Sequence, residues 1–269
     1  MVVQTLIEAA EKGGKPMTIR MSVVLALVML VATPGLGDWE PQDGHKMHFP
    51  QLPDPLGWDV AMTYPKVLAD DWQCSESGFV DDVHFWVSWK GDEVGEIANI
   101  HLSIHDNDAN LPSKPGVEFW SADFGPTDFV IRQAGTGEQG WYNPNTGEWI
   151  PGDHFTFYQI NIMHIDDKVG AFYQEVESIY WLDISVTVAQ AGIGPTNGVE
   201  PSYEIGWKTS PNHWMDDAVW GDYPEPTWQE LLDPITEQSL DLAFVITPEP
   251  TTFGMLMLGG LALLRRRWR

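Results

Sequence analysis

The stretch Asp82-Val83-His84-Phe85-Trp86-Val87-Ser88-Trp89-Lys90 decides the fold class. Val83, Phe85, Val87 and Trp89 fall on one side of a two-residue repeat, with His84, Trp86 and Ser88 on the other. That repeat belongs to an extended strand, whose successive side chains leave the backbone on opposite faces. Residues 96–105 carry it again: Ile97 opens the run, Ala98, Ile100, Leu102 and Ile104 read as inward, and Asn99, His101, Ser103 and His105 as outward. Further strands are expected over 116–121, 128–133, 154–165, 178–189, 202–208 and 239–247, separated by turn clusters such as Gly135-Thr136-Gly137 and Gly192-Ile193-Gly194-Pro195. Trp141-Tyr142 and Glu148-Trp149 flank Asn143-Pro144-Asn145-Thr146-Gly147, which reads as a hairpin. Residues 38–65 read as a leading loop with at most short strands, and helical periodicity is weak outside 169–177 and 227–232. About eight to ten strands predict an all-β, antiparallel β-sandwich, jelly-roll-like in its connections.

Composition says what such a domain can meet. The 269 residues hold 39 acidic and 14 basic side chains, for a formal net charge of −25. Between residues 38 and 247 only seven basic residues occur. Nucleic acid is excluded as a partner, because neutralising phosphates takes clustered Lys and Arg. Cations or a hydrated polymer suit the charge better, and bound divalent ions would relieve the self-repulsion. The 14 Trp, 11 Phe and 7 Tyr supply ample apolar area for a packed core. Cys74 is the sole cysteine, so no internal disulfide exists, and it reads as a small buried hydrophobe.

Several constellations are candidates for sites. Asp106, Asp108 and Asn110 alternate like the opening of a calcium loop, but Leu111 stands where glycine belongs and Val117 where the bidentate glutamate belongs. An EF-hand is therefore rejected, and calcium is the possible ion only if distant residues complete the set. The pairs Asp70-Asp71, Asp81-Asp82, Asp166-Asp167 and Asp216-Asp217 would each send one carboxylate into a polar network and one to solvent. His101 and His105 lie four apart on a strand, about 13 Å, too far to share a zinc ion. No Gly-x-Ser-x-Gly or His-Glu-x-x-His motif occurs, and no two carboxylates are marked as a glycosidase pair. The expectation is a protein that is not an enzyme and has no obligatory cofactor. Trp141, Tyr142 and Trp149, beside the polar Asn-Pro-Asn turn, are the aromatic candidates for stacking on sugar rings.

The two ends supply an address. Met17-Thr18-Ile19-Arg20 precede an apolar run over 23–32 and then Thr33-Pro34-Gly35-Leu36-Gly37, which reads as a secretory signal peptide over 1–37, with Met17 (or Met21) the expected true start. At the other end Pro248-Glu249-Pro250 is followed by an apolar run over 253–264 and by Arg265, Arg266, Arg267 and Arg269. That run spans about 18 Å as a helix against a hydrocarbon core of about 30 Å, so it suits a temporary tether better than a permanent transmembrane span. Its arginines favour the cytoplasmic side and leave the bulk of the chain on the other.

Proline-glutamate-proline, a short apolar helix and a basic terminus resemble the PEP-CTERM sorting tail of bacterial surface proteins, over residues 248–269. The resemblance implies a membrane-embedded exosortase as partner, cleavage near Pro248 to Pro250, and delivery to the cell envelope, the outer surface or the extracellular polysaccharide matrix. Leu68-Ala69-Asp70-Asp71-Trp72, Asp82-Val83-His84-Phe85-Trp86, Ile205-Gly206-Trp207-Lys208-Thr209-Ser210, Asp216-Asp217-Ala218-Val219-Trp220 and Leu240-Asp241-Leu242-Ala243-Phe244 resemble the blocks of an uncharacterised secreted bacterial domain family, which brings no established activity. Signal peptide (1–37), β-sandwich domain (38–247) and sorting tail (248–269) together read as an exported, non-enzymatic envelope or matrix protein. A calcium-stabilised carbohydrate-binding module is the alternative, and a glycan-active hydrolase the third reading.

Overall fold

A computed structural model describes residues 39–189 and 203–247. The signal peptide over 1–37, Pro248, Glu249 and Pro250, and the apolar run and arginines Arg265, Arg266 and Arg267 lie outside the described residues. No helix among the described residues is long and apolar enough to cross a membrane.

The described chain is all-β with several sheets, an arrangement consistent with a β-sandwich. The strands are β1 (Trp58–Ala61), β2 (Lys66–Gln73), β3 (Gly78–Phe79), β4 (Asp82–Trp89), β5 (Glu96–Asp108), β6 (Lys114–Phe124), β7 (Phe129–Asn143) and β8 (Glu148–Ile162). A short helix, α1 (Ile165–Val169), separates these from β9 (Tyr173–Gln174), β10 (Ile179–Ala189), β11 (Ile205–Ser210), β12 (Val219–Asp222), β13 (Gln229–Glu230), β14 (Asp241–Leu242) and β15 (Phe244–Thr247). One sheet runs β14-β11-β1-β7-β8-β4-β15, a second β13-β12-β2-β10-β5-β6, and β3 pairs with β9. Both large sheets bury side chains in one core, with Phe85, Trp207 and Phe244 from the first meeting Trp72, Ile100, Leu102 and Ile184 from the second.

The alternation read from β5 holds, with one physical amendment. Ile100, Leu102 and Ile104 are fully buried in the core, while Asn99 and His101 stand on the other face. Thr187 of β10 pairs with Asn99 but the next residue, Val188, pairs with Ile97, so Ala98 is the extra residue of a bulge. Ala98 is therefore exposed instead of inward, and Ile97 takes its place on the core face.

The first sheet departs most from an antiparallel expectation. β1 pairs antiparallel with β11 but parallel with β7, where Asp59 lies opposite Trp141. β11 also pairs with β4 through Ile205–Trp89, Gly206–Ser88 and Trp207–Val87. Strands β11, β1, β7, β8 and β4 consequently close into a ring. All eight residues of β4 are buried, although its sequence marks only one face as apolar: on the other face His84 bonds Asn161 and Thr247, and Trp86 packs edge-on against Trp39. Ser88 faces inward and donates to Gln139 Oε1 at 3.0 Å, across the intervening β8.

Other differences are local. The helical periodicity over 227–232 and 169–177 does not become helix; β13 and β9 occupy parts of those stretches. The hairpin around Asn143 forms as read, with Tyr142 opposite Trp149 and Gly147 at φ 71°, a left-handed conformation that glycine adopts without strain. Cys74 is buried and free, and burial pushes its thiol up from the ordinary value.

Candidate functional site

The sequence-derived candidates scatter. Trp141 does not stand at the surface: it is fully buried inside the ring, because β1, paired along the edge of β7, brings β11 round so that Gly206 packs against the indole. Tyr142 is partly buried, and Trp149, 45% exposed, packs edge-on against Trp58 with ring centroids 6.3 Å apart. The three therefore form no common platform. Asp106 and Asp108 lie in β5, and one oxygen of each accepts from a nearby residue. Asp106 Oδ1 accepts from the Val117 amide, and Asp108 Oδ1 accepts both the backbone and side-chain N–H groups of Asn110.

Two of the four acidic pairs are more buried than their adjacency suggests, whereas Asp166 and Asp167 are exposed and Asp216 and Asp217 half-buried. Asp70 and Asp71 are both buried, as are Asp81 and Asp82. Asp81 Oδ1 accepts from the Asp166 amide and Asp82 Oδ1 from the His164 amide, so this pair caps the turn into α1. Asp81, Asp82 and His164 also offer three ligand atoms within 4.8 Å of one another, but the carboxylates already have those amide partners. Asp70 accepts from three N–H groups: Asp71 N at 2.8 Å, Leu242 N at 2.6 Å and Gln51 Nε2 at 3.3 Å.

What the fold does bring together is a groove on the outer face of the second sheet. β5 sends every second side chain outward, and the register sets His101 opposite Asp123 of β6 on one side and opposite Ser185 of β10 on the other. Asn99 and Thr187 form the neighbouring rung. Tyr64, from the turn before β2, and Tyr223, just after β12, stack with centroids 6.3 Å apart and planes 21° from parallel. His101 meets Tyr223 edge-on at 5.5 Å. These residues with Pro224 enclose about 240 Å³.

The groove's polar groups are held in place. Asn99 Nδ2 and His101 Nδ1 both bond Asp123 Oδ1, at 2.8 and 3.0 Å, leaving Oδ2 toward solvent without a hydrogen-bond partner among the described residues. The Asn99 amide is the largest influence on the Asp123 carboxyl and, with His101, holds it below its ordinary value against the opposing effect of burial. Tyr223 is anchored from behind: its hydroxyl donates to Asp183 Oδ1 at 3.1 Å, and burial first, then that carboxylate, push the phenol well up.

Asp183 in turn meets His105, and Ser103 lies beside them. The set has the residue types of a serine-hydrolase triad but the wrong connectivity. His105 Nε2 contacts both Ser103 Oγ at 2.9 Å and Asp183 Oδ2 at 2.8 Å. A relay needs the base on one ring nitrogen and the orienting carboxylate on the other. A single nitrogen donating to Asp183 cannot also take the Ser103 proton, and Ser103 is buried. The cluster is a brace under the groove. Of its parts, the outward residues of β5 are readable from alternation. Asp123, Ser185, Tyr64 and Tyr223 arrive through strand register and turns that local pattern does not encode.

No curated protein and no solved structure matches this chain. A family model described as a domain of unknown function, DUF7901, matches residues 47–247, from the segment that leads into β1 to the end of β15. That match covers most of the chain, the ring and the groove included, and the protein belongs to this family.

Proposed function

We propose that the protein is an exported, non-enzymatic component of the cell envelope or exopolysaccharide matrix, a jelly-roll-like sandwich that holds hydroxyl-rich polymer in the groove of its second sheet. The observation that carries the binding part is the pairing of two stacked, partly exposed aromatic rings, Tyr64 and Tyr223, with two cross-strand rungs of accessible polar side chains, Asp123 with His101 and Asn99 with Thr187. Aromatic faces take the apolar face of a sugar ring, while fixed polar side chains take its hydroxyls. The address rests on the two terminal sequence signals. Binding is favoured over ester hydrolysis, because Ser103 and Asp183 share one nitrogen of His105.

Retention on insoluble polysaccharide tests it. The protein should stay with the polymer, and Tyr64→Ala combined with Tyr223→Ala should release it while thermal unfolding stays cooperative. Equal retention of that variant would remove the groove from the reading. Mass spectrometry of protein recovered from culture should find the amino terminus near Asp38 and the carboxyl terminus near Pro248 to Pro250. An unprocessed chain in the cytosol would remove the export reading.

A further inference from the structure

Resting on that reading, we infer that the groove selects polymers without anionic groups and favours those bearing protonated amines, with Asp123 as the residue that sets the preference. Three observations converge. Asp123 is exposed and its carboxyl is held ionised by Asn99 and His101, both of which occupy the same oxygen. Its other oxygen is open to a ligand donor. The groove is lined by Tyr64, Asn99, His101, Ser185, Thr187, Tyr223 and Pro224 besides, with no Lys or Arg among them, and its one basic side chain, His101, is turned to Asp123.

Recognition of a uronate or sulfate group relies on Arg or Lys placed against it. Here such a group would meet a carboxylate instead. An ammonium would meet a ready acceptor, and a hydroxyl would meet the same acceptor without the charge. The overall charge of −25 acts in the same direction at long range, but that part is screened beyond about 8 Å at physiological salt. The local part, acting at contact distance, is screened less, so part of the preference should survive moderate salt.

The test compares retention of the intact protein on chitosan, cellulose and alginate at pH 5.5, in low salt and at physiological salt. Chitosan should hold it about two- to fivefold more tightly than cellulose, the range an exposed ion pair supplies, and alginate should not hold it. At physiological salt, where the long-range part is screened, Asp123→Asn should bring the chitosan-to-cellulose ratio to about one, whereas Asp167→Asn, an exposed carboxylate in α1, should leave the ratio unchanged. A ratio that persists in Asp123→Asn, or retention on alginate equal to that on cellulose, overturns the inference. Tyr-dependent binding to cellulose with no chitosan preference overturns it while leaving the proposed function standing, and binding to none of the three polymers overturns both.

Discussion

Lys208 Nζ lies 3.0 Å from Asp59 Oδ2 with both side chains wholly buried inside the ring, and His154 Nε2 approaches the same oxygen at 2.9 Å. Burial works to raise the Asp59 carboxyl, but Lys208 and then His154 outweigh it and hold the group below its ordinary value. The stability this carboxylate adds is therefore present above the ordinary carboxylate range and lost as pH falls through the lowered value. The cluster joins β1, β8 and β11, three of the five ring strands.

Removing one partner should be costly and removing both much less so. Lys208→Met leaves a buried carboxylate facing only His154, and a broken buried pair typically costs about 3–5 kcal/mol. Asp59→Leu with Lys208→Met takes both charges away and should recover much of that loss. Urea unfolding measures both. A single variant costing under about 1 kcal/mol would mean that the pair does not hold the ring closed.

Asp71 makes the opposite pH prediction. Burial, then the charges of Asp241 and Asp216, push its carboxyl up to about 8, and its Oδ1 has no hydrogen-bond partner. Asp241 is pushed up to about 6, chiefly by burial. A raised carboxyl contributes stability that is complete below its unfolded value and is lost as pH rises through the folded one. The wild type should thus lose melting temperature from about pH 4, the ordinary carboxylate value, up to about pH 8, and little more above it. Asp71→Asn, which keeps the shape of the neutral acid, should melt above wild type at pH 9 and close to it at about pH 4. His105, raised by its bond to Asp183 against the larger opposing effect of burial, acts in the same direction and leaves part of the alkaline loss in place. Parallel pH curves for the two proteins would refute the assignment.

Trp141 and Trp149, neighbours in the hairpin, should separate sharply. Trp141 is fully buried, and truncating such a side chain to alanine costs about 3–5 kcal/mol. Trp149 is 45% exposed and mainly rests on Trp58, so Trp149→Ala should cost about 0.5–1.5 kcal/mol. Neither change should abolish polymer retention by protein that remains folded, because neither ring lines the groove. Loss of retention in folded Trp149→Ala would move the binding surface to the hairpin.

Strand by strand, the sequence is most readable where one face meets the core and the other meets water. β5 is such a strand, and its outward residues Asn99 and His101 become the floor of the groove. β2 was not legible because Asp70 and Asp71 interrupt its apolar run. Asp70 is tolerated there by Leu242 N, a donor 172 residues away, and no local window contains that partner. The same limit hid the ring. A parallel contact between a four-residue strand and the hairpin leaves no periodicity, yet it reverses the fate of Trp141. The aspartates at 106 and 108 show the converse, since both lie in a strand, where alternation has the same spacing as the opening of an ion-binding loop.

Gly206 tests the ring where β11 meets both β1 and Trp141. A Cβ there would sit 2.9 Å from a Trp141 ring carbon and 3.0 Å from the backbone carbonyl carbon of Asp59. The ring of Trp141 can be trimmed, but the β1 backbone is fixed by its pairing with β11 on one side and β7 on the other. Gly206→Ala should destabilise by about 1–3 kcal/mol, the usual cost of overpacking a core. Gly147→Ala provides the contrast: nothing lies within 4 Å of its Cβ, so its cost reflects only the positive φ and should be about 1 kcal/mol. Combining Gly206→Ala with Trp141→Phe then tells the two contacts apart. If the indole limits the space, the double variant recovers part of the Gly206→Ala loss relative to Trp141→Phe alone. If the loss is additive, the close approach of β11 to β1 is the constraint, and glycine is required for the ring to close.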